Sequence, residues 1–521
     1  TEMEHNSVLR PLYELEEKGV SVTIVDCEKN GTISCEKIKQ AIGKNTKAIV
    51  CTHASNVTGD GNDIAQIGTL CEKYNLYFIL DASQTAGTIE IDMEQNHISA
   101  ICFTGHKGLF GPQGTGGIAL ADGVCVKPLL SGGSGVHSFE RKHPMELPAA
   151  LEAGTLNGHG IAGLHAALDW IKKTGIAAIH EKEMALAEQF QRGIETIPGI
   201  HLYGGEKRVA AIVSCNLADL DSAYVSDCLA ENYGIATRAG AHCAPQIHTH
   251  FGTEKQGMVR FSFSCFNTTE EVEKAVRAMQ DIAAENRGKV TAYVGAGGKT
   301  SSIRKRAETL RAEGKRVLIL TTTKMMVPQE QEIFTAYEQT GQESVISATA
   351  SVWQERRAAE KQLKERVQSV LDTYGCCVAG SLIPGTEKFG MLPEKLMEDL
   401  LYLADEILIE ADGSAHMPVK APAEHEPVLF PYMDEVVIVM GAHAIGKPLR
   451  EVCHRVDYAK ELLKCDADKI VTAADLKTLA EQGYAIPIQK QYPWMKISKV
   501  TGKDIKLCLT AEKKDKVRDK Q

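Results

Sequence analysis

Short apolar runs alternate with helix-like segments between residues 20 and 120. Four apolar runs lie in this region, and the first three end in polar residues or in a Thr-Gly pair: "KAIVCTH", "LYFILDAS", "AICFTG" and "GGIAL". A helix-like segment from Ile64 to Tyr74 separates the first two runs. Apolar strands with helices between them are typical of a parallel sheet covered on both faces. The pattern therefore predicts an α/β fold with its ligand site beyond the carboxyl ends of the strands.

The hydrophobic pattern changes twice after residue 120. Residues 160–285 predict long helices, such as "EKEMALAEQFQRGIETI", with a few strands such as "AAIVSCNL" and "MVRFSFS". We expect these to form a smaller α+β layer of the same unit. After the polar joint "AENRGKV", a second α/β pattern begins with the strand "VTAYVG", a glycine turn, a helix and the strand "RVLILTTT". We predict a first domain over 1–286, a second over 287–505 and a charged tail over 506–521.

Composition narrows the classes of function. The chain has 521 residues, of which 43% are hydrophobic and 24% charged, as in globular proteins, and its net charge of -10 disfavours a nucleic acid partner. No apolar run approaches the ~20 residues of a membrane span. The 15 cysteines lack the paired spacing of a structural zinc site and, without a secretion signal, predict reduced thiols of a cytoplasmic protein. We expect no membrane partner and no metal site.

Polar side chains follow three of the predicted strands. In chain order they are His53 and Asn56, then Asp81 and Gln84, then Thr104, His106 and Lys107. Taken alone, Lys107 would be a solvated loop lysine. Near buried strand ends and beside an imidazole, the same amine would have a lowered pKa and act as a nucleophile toward a carbonyl. The convergence of three strand ends favours this second interpretation.

These side chains suit a lysine that forms a Schiff base with pyridoxal 5'-phosphate (PLP). Such a site needs a carboxylate against the pyridine nitrogen, so that the ring can accept electrons, and Asp81 is placed for this. His5 is a candidate to stack on the ring. The ring hydroxyl and the phosphate need hydrogen-bonding groups. Candidates for them are, respectively, Asn56 and Gln84, and Thr104, His106 and the "SGGSG" loop.

Seven motifs occur in order over residues 1–285. They are "EHNSVLRP", "HASNVTG", "DASQTAG", "TGHKGLFGPQGTGG", "LEAGTLN", "RAGAHCAP" and "RFSFSCFNT". Together they resemble the class V aminotransferase fold, which is PLP-dependent transferase fold type I, and more closely the NifS-like cysteine desulfurase and selenocysteine lyase family. The resemblance implies L-cysteine or L-selenocysteine as substrate, PLP as cofactor and a homodimer.

The resemblance also implies a role for each matched residue. Lys107 would bind PLP covalently, Thr155 would reach the phosphate of a partner subunit, and Arg260 would hold the substrate carboxylate with Arg238 close by. The roles given above to the remaining residues agree with the family: His5, Asn56, Asp81, Gln84, Thr104 and His106.

Cys243, in "RAGAHCAP", is the residue on which the implied reaction depends. Its thiolate would attack the sulfur or selenium of the substrate, leaving alanine and a persulfide or selenopersulfide, and His242 and Arg238 would favour the thiolate. Position alone would favour an inert buried thiol. A metal site using Cys243, His248 and His250 is disfavoured, because no second close cluster completes four ligands.

The sequence departs from the family pattern in two places. Ala241 stands where the family usually has a second histidine, so we expect different tuning of the thiolate. The family also has a segment ahead of "EH" that binds the PLP phosphate. We therefore expect this sequence to be an N-terminally truncated piece, with weakened cofactor affinity if it is the whole polypeptide.

The stretch "YVGAGGKTS" follows a predicted strand and opens a helix, which is the context that a phosphate-binding loop requires. Gly295, Gly297 and Gly298 would let backbone N–H groups approach an anion. Lys299 would add charge, and Thr300 or Ser301 would hold Mg²⁺. The full GxxxxGK[ST] pattern is not met, because Tyr293 occupies its first glycine position, so a plain tight turn remains an alternative.

Further motifs in the second domain favour a nucleotide site. "EILIEADG" is an apolar strand that ends in Glu410 and Asp412, an arrangement suited to a metal ion or its water, and "LTTTK" ends another strand with hydroxyls. With "KAPAEHEP" and "CHR", these motifs resemble the YqeC family over residues 288–456. That resemblance implies a P-loop-like domain linked to selenium-dependent molybdenum hydroxylases.

We therefore expect a PLP-dependent desulfurase or selenocysteine lyase fused to a nucleotide-binding accessory domain, supplying sulfur or selenium for a molybdenum hydroxylase cofactor. Two alternatives remain open. One is a PLP-dependent aminotransferase or β-lyase that does not use Cys243. The other is a scaffold that has lost PLP. The acceptor protein is not predicted.

Overall fold

A computed structural model describes residues 1–337 and 350–502, and the predicted tail over 506–521 lies outside these ranges. The chain forms two compact units, one over Thr1–Ile282 and one that begins at Ala283. None of the helices within the described ranges has the length and apolar character needed to cross a bilayer.

The first unit contains seven strands and eight helices within its described residues, the last helix running to Asn286. The helices are α1 (Asn6–Glu17), α2 (Cys35–Ala41), α3 (Ile64–Tyr74), α4 (Gly158–Thr174), α5 (Ile176–Ile194), α6 (Ser222–Tyr233), α7 (Pro245–Phe251) and α8 (Thr269–Asn286). The strands are β1 (Ala48–Thr52), β2 (Tyr77–Asp81), β3 (Ala100–Thr104), β4 (Gly116–Leu120), β5 (Ile200–Tyr203), β6 (Ile212–Leu217) and β7 (Val259–Ser262).

The predicted α/β sheet is present, with strand order β1-β2-β3-β4. The first three strands are parallel, but β4 runs antiparallel to β3, with Thr104 opposite Gly116. The sheet is thus mostly parallel, as expected, with one antiparallel strand at its edge. Parallel neighbours need a crossover of about a dozen residues or more, usually a helix, whereas the glycine-rich turn between β3 and β4 simply returns the chain.

The core of this unit places the carboxyl ends of the strands at a common edge. Phe78 and Leu80 of β2 and Ile67 of α3 are at most 1% exposed, and burying each side chain contributes about 1.5–3 kcal/mol. The smaller layer is an antiparallel sheet, β5-β6-β7, next to which α5 buries Phe190 against Phe261 of β7. Thus Asp81 and Thr104 both end strands at the edge where ligands bind α/β sheets.

The second unit also has an α/β pattern. Its helices are α9 (Lys299–Ala312), α10 (Ala350–Tyr374), α11 (Glu394–Leu400), α12 (Leu449–Val452), α13 (Val456–Leu463), α14 (Ala473–Thr478) and α15 (Ile486–Gln491). Its strands are β8 (Lys289–Gly295), β9 (Val317–Thr321), β10 (Lys324–Met326), β11 (Phe334–Tyr337), β12 (Cys376–Leu382), β13 (Lys388–Gly390), β14 (Glu406–Glu410), β15 (Val419–Lys420), β16 (Glu435–Gly441), β17 (Cys453–His454) and β18 (Lys496–Gly502).

The main sheet of this unit has the order β10-β13-β12-β9-β14-β8-β16-β18, with β11 paired to β12. Its six strands from β12 to β18 pair in parallel, and β8 lies between β14 and β16. The chain therefore passes from β8 to β9 on one side of β8, and later from β14 to β16 on the other side. Such a reversal leaves a crevice at the carboxyl end of the strand, and the glycine turn that follows Gly295 lies there.

Candidate functional site

Lys107 lies against the turn that carries Asp81 and Gln84, because two glycines let the backbones meet. Gly87 has φ +90°, and a Cβ on it would lie 2.3 Å from the carbonyl oxygen of Gly108. The Lys107 side chain reaches solvent, yet protein around it lowers its pKa by desolvation. The Asp81 carboxylate opposes that shift, so the two groups interact.

His5 joins the same group from the start of α1. The backbone N–H of Ser7 donates to His5 Nδ1 over 3.1 Å, so any proton of the neutral ring is on Nε2. Partial burial lowers the pKa of His5, and the charge of Lys107 lowers it further, while Asp81 raises it. The ring is therefore mostly neutral at pH 7, with one N–H left for a ligand.

Asn56 and Arg260 connect the strand ends to the smaller layer. Arg260 Nη1 donates to the carbonyl oxygen of Asn56 over 2.9 Å. The buried polar atoms that lack a hydrogen-bond partner within the described residues include Asn56 Oδ1 and Arg260 Nε. Buried polar atoms are normally paired, so both atoms fit a site that a polar ligand completes.

The remaining predicted cofactor residues differ in how closely they approach Lys107 and Asp81 along the chain and in how far they are buried. Thr104 Oγ1 and His106 Nδ1 lie 2.7 Å apart, so these two side chains form one polar group at the end of β3. Gln84 is half-buried, three residues beyond Asp81. Thr155 is exposed in the loop before α4, and within the described part of the chain no hydrogen bond joins it to the others.

Cys243 is exposed and lies beside a guanidinium. Arg238 Nη2 is 3.6 Å from Cys243 Sγ, and Arg238 forms a backbone bridge with Arg260. His242 and Cys243 have φ values of 52° and 58°, a left-handed conformation that costs about 1–2 kcal/mol per residue. Hydrogen bonds offset this cost: the N–H of Asn6 donates to the Cys243 carbonyl over 2.7 Å, and the Asn56 amide donates to the His242 carbonyl over 2.8 Å.

His242 does not supply the positive charge that the sequence suggested. Its ring is 2% exposed, and burial lowers its pKa to about 4, although a hydrogen bond to the Arg238 carbonyl opposes the shift. The ring is therefore neutral at pH 7. Among the groups expected to favour the Cys243 thiolate, only Arg238 brings a cation to the sulfur.

His248 and His250 are engaged elsewhere. His248 contacts His242 and Thr253, and His250 Nδ1 lies 3.3 Å from a carboxylate oxygen of Glu2. Across residues 1–337 and 350–502, no three His, Cys, Asp or Glu side chains are grouped as a metal site would require.

Sequence reasoning left His53 without a role. It is 6% exposed, burial lowers its pKa to about 4, and its Nδ1 lies 2.9 Å from Thr85 Oγ1. Thr85 ends the turn that carries Asp81 and Gln84. His53 thus stabilises that turn through Thr85. In the sequence, only its position at the end of a strand suggested a role at the site.

In the second unit, the glycine turn is packed closely against neighbouring backbone. Gly295 and Gly297 have φ values of +90° and +78°, and a Cβ on them would lie 2.2 Å from Val439 O and 2.4 Å from Pro418 O. Only glycine fits this path. Lys299 is 4% exposed and donates from Nζ to the Gly295 carbonyl over 2.6 Å. Gly298 has φ +133° and directly precedes α9.

The two acidic residues after β14 have different surroundings. Thr300 Oγ1 donates to Glu410 Oε2 over 2.9 Å, and desolvation raises the pKa of Glu410. Asp412 is 1% exposed and already accepts three protein donors: the N–H of Gly295 over 3.1 Å, the hydroxyl of Tyr484 over 2.7 Å and the ammonium of Lys420. Glu410 thus contacts the start of α9, whereas Asp412 anchors the glycine turn.

The buried Lys420 was not identified as a functional residue from the sequence. It is 0% exposed and contacts Asp412 and, over 2.7 Å, Glu426 Oε2, which in turn pairs with Arg455 over the same distance. The signal was present: Lys420 and Glu426 belong to "KAPAEHEP", and Arg455 to "CHR". Pairing of β15 with β17 brings the two motifs together.

Comparison with known proteins identifies the class first. Residues 1–275 match the aminotransferase class-V family, a little over half of the chain. Over 286 residues the chain is 33% identical to a probable cysteine desulfurase of Methanothermobacter thermautotrophicus, covering 54% of this chain and 72% of that protein. It is 30% identical over 288 residues to a cysteine desulfurase of Shigella flexneri, covering 54% and 70%. The chain therefore belongs to the class-V aminotransferase family and, within it, to the cysteine desulfurases.

Solved structures agree with this assignment. The apo structure of a cysteine desulfurase from Thermococcus onnurineus is similar at 29% identity and a TM-score of 0.52, over 55% of this chain and 72% of that one. The Escherichia coli cysteine desulfurase CsdA is similar at 27% identity and a TM-score of 0.51, over 55% and 71%. Residues 291–457 match a different family, the YqeC protein. The resemblances stated from the sequence are thus confirmed for both parts of the chain.

Proposed function

We propose that the first unit is a PLP-dependent cysteine desulfurase that converts L-cysteine to alanine and leaves a persulfide on Cys243. The observation that carries this proposal is the approach of Arg238 to Cys243 Sγ, 3.6 Å away, while Arg238 is bridged to Arg260 of the Lys107 site. A guanidinium at that distance can donate a hydrogen bond to the sulfur, and the thiolate, the nucleophilic form of cysteine, is the better acceptor of such a bond.

The residues present fit the cofactor. Lys107 would hold PLP covalently, Asp81 would pair with the pyridine nitrogen, and His5 would stack on the ring. The unpartnered Asn56 Oδ1 supports a polar ligand at this place. When bound, PLP supplies an electron sink next to the substrate Cα. The other proposed contacts are Asn56 and Gln84 to the ring hydroxyl, and Thr104 and His106 to the phosphate.

The side chains of this unit would then divide the reaction. Arg260 binds the substrate carboxylate, which would also satisfy its unpartnered Nε. Lys107 has a lowered pKa, so its Nζ gives up its proton more readily than a free lysine and takes one from the substrate Cα. The Cys243 thiolate attacks the substrate sulfur: an S–S bond forms, the Cβ–S bond breaks, and Cβ takes a proton. Lys107 then returns a proton to Cα, which gives alanine.

We further propose that the enzyme is a cytoplasmic homodimer in which Thr155 reaches the cofactor of the second subunit. Support comes from the chain between β4 and α4, where large apolar side chains face solvent. Leu129 is 93% exposed, Leu130 69% and Met145 63%. Exposed apolar surface on this scale is typical of an interaction site.

For the second unit we propose Mg²⁺-dependent nucleotide binding at the glycine turn. Lys299 and the turn would bind phosphate, and Thr300 with Glu410 would face the metal ion. Asp412 would act by fixing the N–H of Gly295. The similarity to YqeC motivates the wider proposal that the fused protein supplies sulfur or selenium to a selenium-dependent molybdenum hydroxylase.

Product analysis tests the proposal. The PLP-loaded protein and its Cys243→Ser variant are incubated with L-cysteine and a thiol reductant, and alanine and sulfide are measured. We expect one alanine per sulfide from the unaltered protein and background from the variant, with PLP still bound. Pyruvate as the product, or full activity of the variant, would establish β-elimination or another reaction that does not use Cys243. Failure to bind PLP would contradict the proposed reaction of this chain and favour the scaffold.

A further inference from the structure

Three buried side chains form a hydrogen-bonded chain beneath Cys243. Thr253 Oγ1 lies 2.8 Å from His248 Nδ1, His248 Nε2 lies 3.4 Å from His242 Nδ1, and His242 Nε2 lies 3.1 Å from the carbonyl oxygen of Arg238. None of the three side chains is more than 2% exposed. They are too deeply buried to contact a substrate, and their hydrogen bonds lead to the backbone carbonyl of Arg238.

The Arg238 carbonyl, at the end of this series of hydrogen bonds, determines which nitrogen of each histidine ring carries the proton. The Arg238 carbonyl can only accept, so His242 Nε2 carries a proton and, in a neutral ring, His242 Nδ1 accepts. His248 Nε2 must then donate to it, and His248 Nδ1 accepts from the hydroxyl of Thr253. Burial lowers the pKa of both rings, which keeps them neutral and preserves this order at pH 7.

The chain ends on a peptide group that it helps to immobilise. The Arg238 carbonyl accepts from His242 Nε2 and also from the backbone N–H of Arg260 over 2.9 Å, so both of its lone pairs are used. His242 is held in turn by the Asn56 amide at its own carbonyl. With its backbone fixed, Arg238 directs its guanidinium to Cys243 Sγ.

We propose that His242 and His248 are positioning residues for the Cys243 thiol. They fix the backbone of Arg238, so that its guanidinium is held at the Cys243 sulfur before a substrate arrives. Arg238 is long and exposed, and without this anchor its guanidinium would spend less time at the sulfur. The catalytic consequence rests on the proposed desulfurase function, but the reactivity of the thiol in the resting protein does not.

The test is the rate at which iodoacetamide alkylates Cys243 at pH 7, followed by peptide mass spectrometry. The variants are His248→Phe, which keeps a ring but loses the hydrogen bonds, Arg238→Met, and the double variant. We expect each single variant to slow alkylation about 5- to 10-fold, because thiolate is the reacting form. The double variant should be no slower than Arg238→Met alone, because the histidine acts through the arginine.

Controls within the same samples separate positioning from damage. The exposed Cys125 should react at an unchanged rate, and the buried Cys215 should stay unreactive in a folded variant. If His248→Phe exposes Cys215, then Thr253→Val, which removes only the hydroxyl donor, decides the matter with an expected slowing of about 2-fold. His248→Gln keeps an amide donor and should restore part of the rate.

Two results would overturn the proposal: an unchanged Cys243 rate in folded His248→Phe or Thr253→Val, or effects of His248→Phe and Arg238→Met that multiply in the double variant. The outcome is independent of turnover. If the alkylation pattern is as expected but cysteine yields no persulfide, the desulfurase function fails and the positioning role stands.

Discussion

Each unit places a lysine just after a parallel strand, but the two amines are held differently. Lys107 follows β3. Its amine reaches solvent, and this amine makes no hydrogen bond within the described residues. Lys299 opens α9, is 4% exposed, and donates to the carbonyl of its own turn. Desolvation lowers the pKa of both amines.

The difference indicates two kinds of chemistry. An amine that forms a covalent bond must lose its proton and reach a carbonyl, so it has to be accessible and free of a fixed partner. An amine that only binds an anion is best held in place beforehand, because less side-chain entropy is then lost on binding. We therefore infer covalent chemistry in the first unit and binding in the second.

The largest expected effect comes from removing the accessible amine. Lys107→Ala should abolish the absorbance of lysine-bound PLP and lower alanine formation by roughly 10³-fold or more, because both the covalent anchor and the proton carrier are lost. The matched control is Lys172→Ala in the last turn of α4, an exposed lysine that should be silent. Reducible PLP found on another lysine would disprove the assignment.

The buried ion pair of Lys420 and Asp412 in the second unit should contribute mainly to the stability of that unit. Lys420→Met leaves the Asp412 carboxylate buried without its cation, which should lower the free energy of unfolding of this unit by about 3 kcal/mol or more. Chemical denaturation followed by pulse proteolysis, with peptides of this unit identified by mass spectrometry, measures this. An unchanged midpoint would show that Asp412 does not need Lys420.

Removing the fixed amine should weaken binding without affecting the first unit. Lys299→Ala should reduce the affinity for a Mg²⁺-nucleotide by about 2 kcal/mol, the loss of one charge-assisted phosphate contact. Calorimetry of the full chain with ATP or GTP measures it, and Lys305→Ala, an exposed lysine of α9, is the control. If the unaltered protein binds neither nucleotide, the proposed binding function of the second unit is wrong.

Acid should weaken the first unit through its buried histidines. The pKa of His53 is lowered to about 4 in the folded protein, from an ordinary value of 6.5. Its contribution to stability is therefore complete above pH 6.5 and is lost as the pH falls toward 4. Between pH 7 and pH 5 this amounts to about 1–2 kcal/mol. His53→Phe should flatten the pH dependence of the unfolding midpoint, and an unchanged slope would contradict the assignment.

The strands and the polar groups at their ends could be predicted from the sequence, because a short apolar run that stops at polar residues is typical of a buried strand. The sequence also located Lys107, Asp81 and Cys243 through motif order. It did not predict the direction of β4, which is set by the short glycine-rich connection.

Side-chain contacts that depend on the fold could not be predicted from the sequence. The contact of His242 with His248 follows two consecutive left-handed residues. From the sequence, His242 was assigned to tuning the thiolate, and His248 belonged only to a disfavoured metal site. The burial of Lys420 against Asp412 depends likewise on the pairing of β15 with β17. The motifs named these residues, but the contacts themselves are created by packing and cannot be predicted from either segment alone.

The location of the transferred sulfur tests the central claim most directly. Protein loaded with PLP is treated with L-cysteine, trapped with an alkylating reagent without reduction, digested and analysed by mass spectrometry. The account predicts one additional sulfur on the peptide that contains Cys243, and none on it after PLP is removed. Additional sulfur on a different cysteine, with the Cys243→Ser variant still forming alanine, would contradict the desulfurase mechanism assigned to this residue.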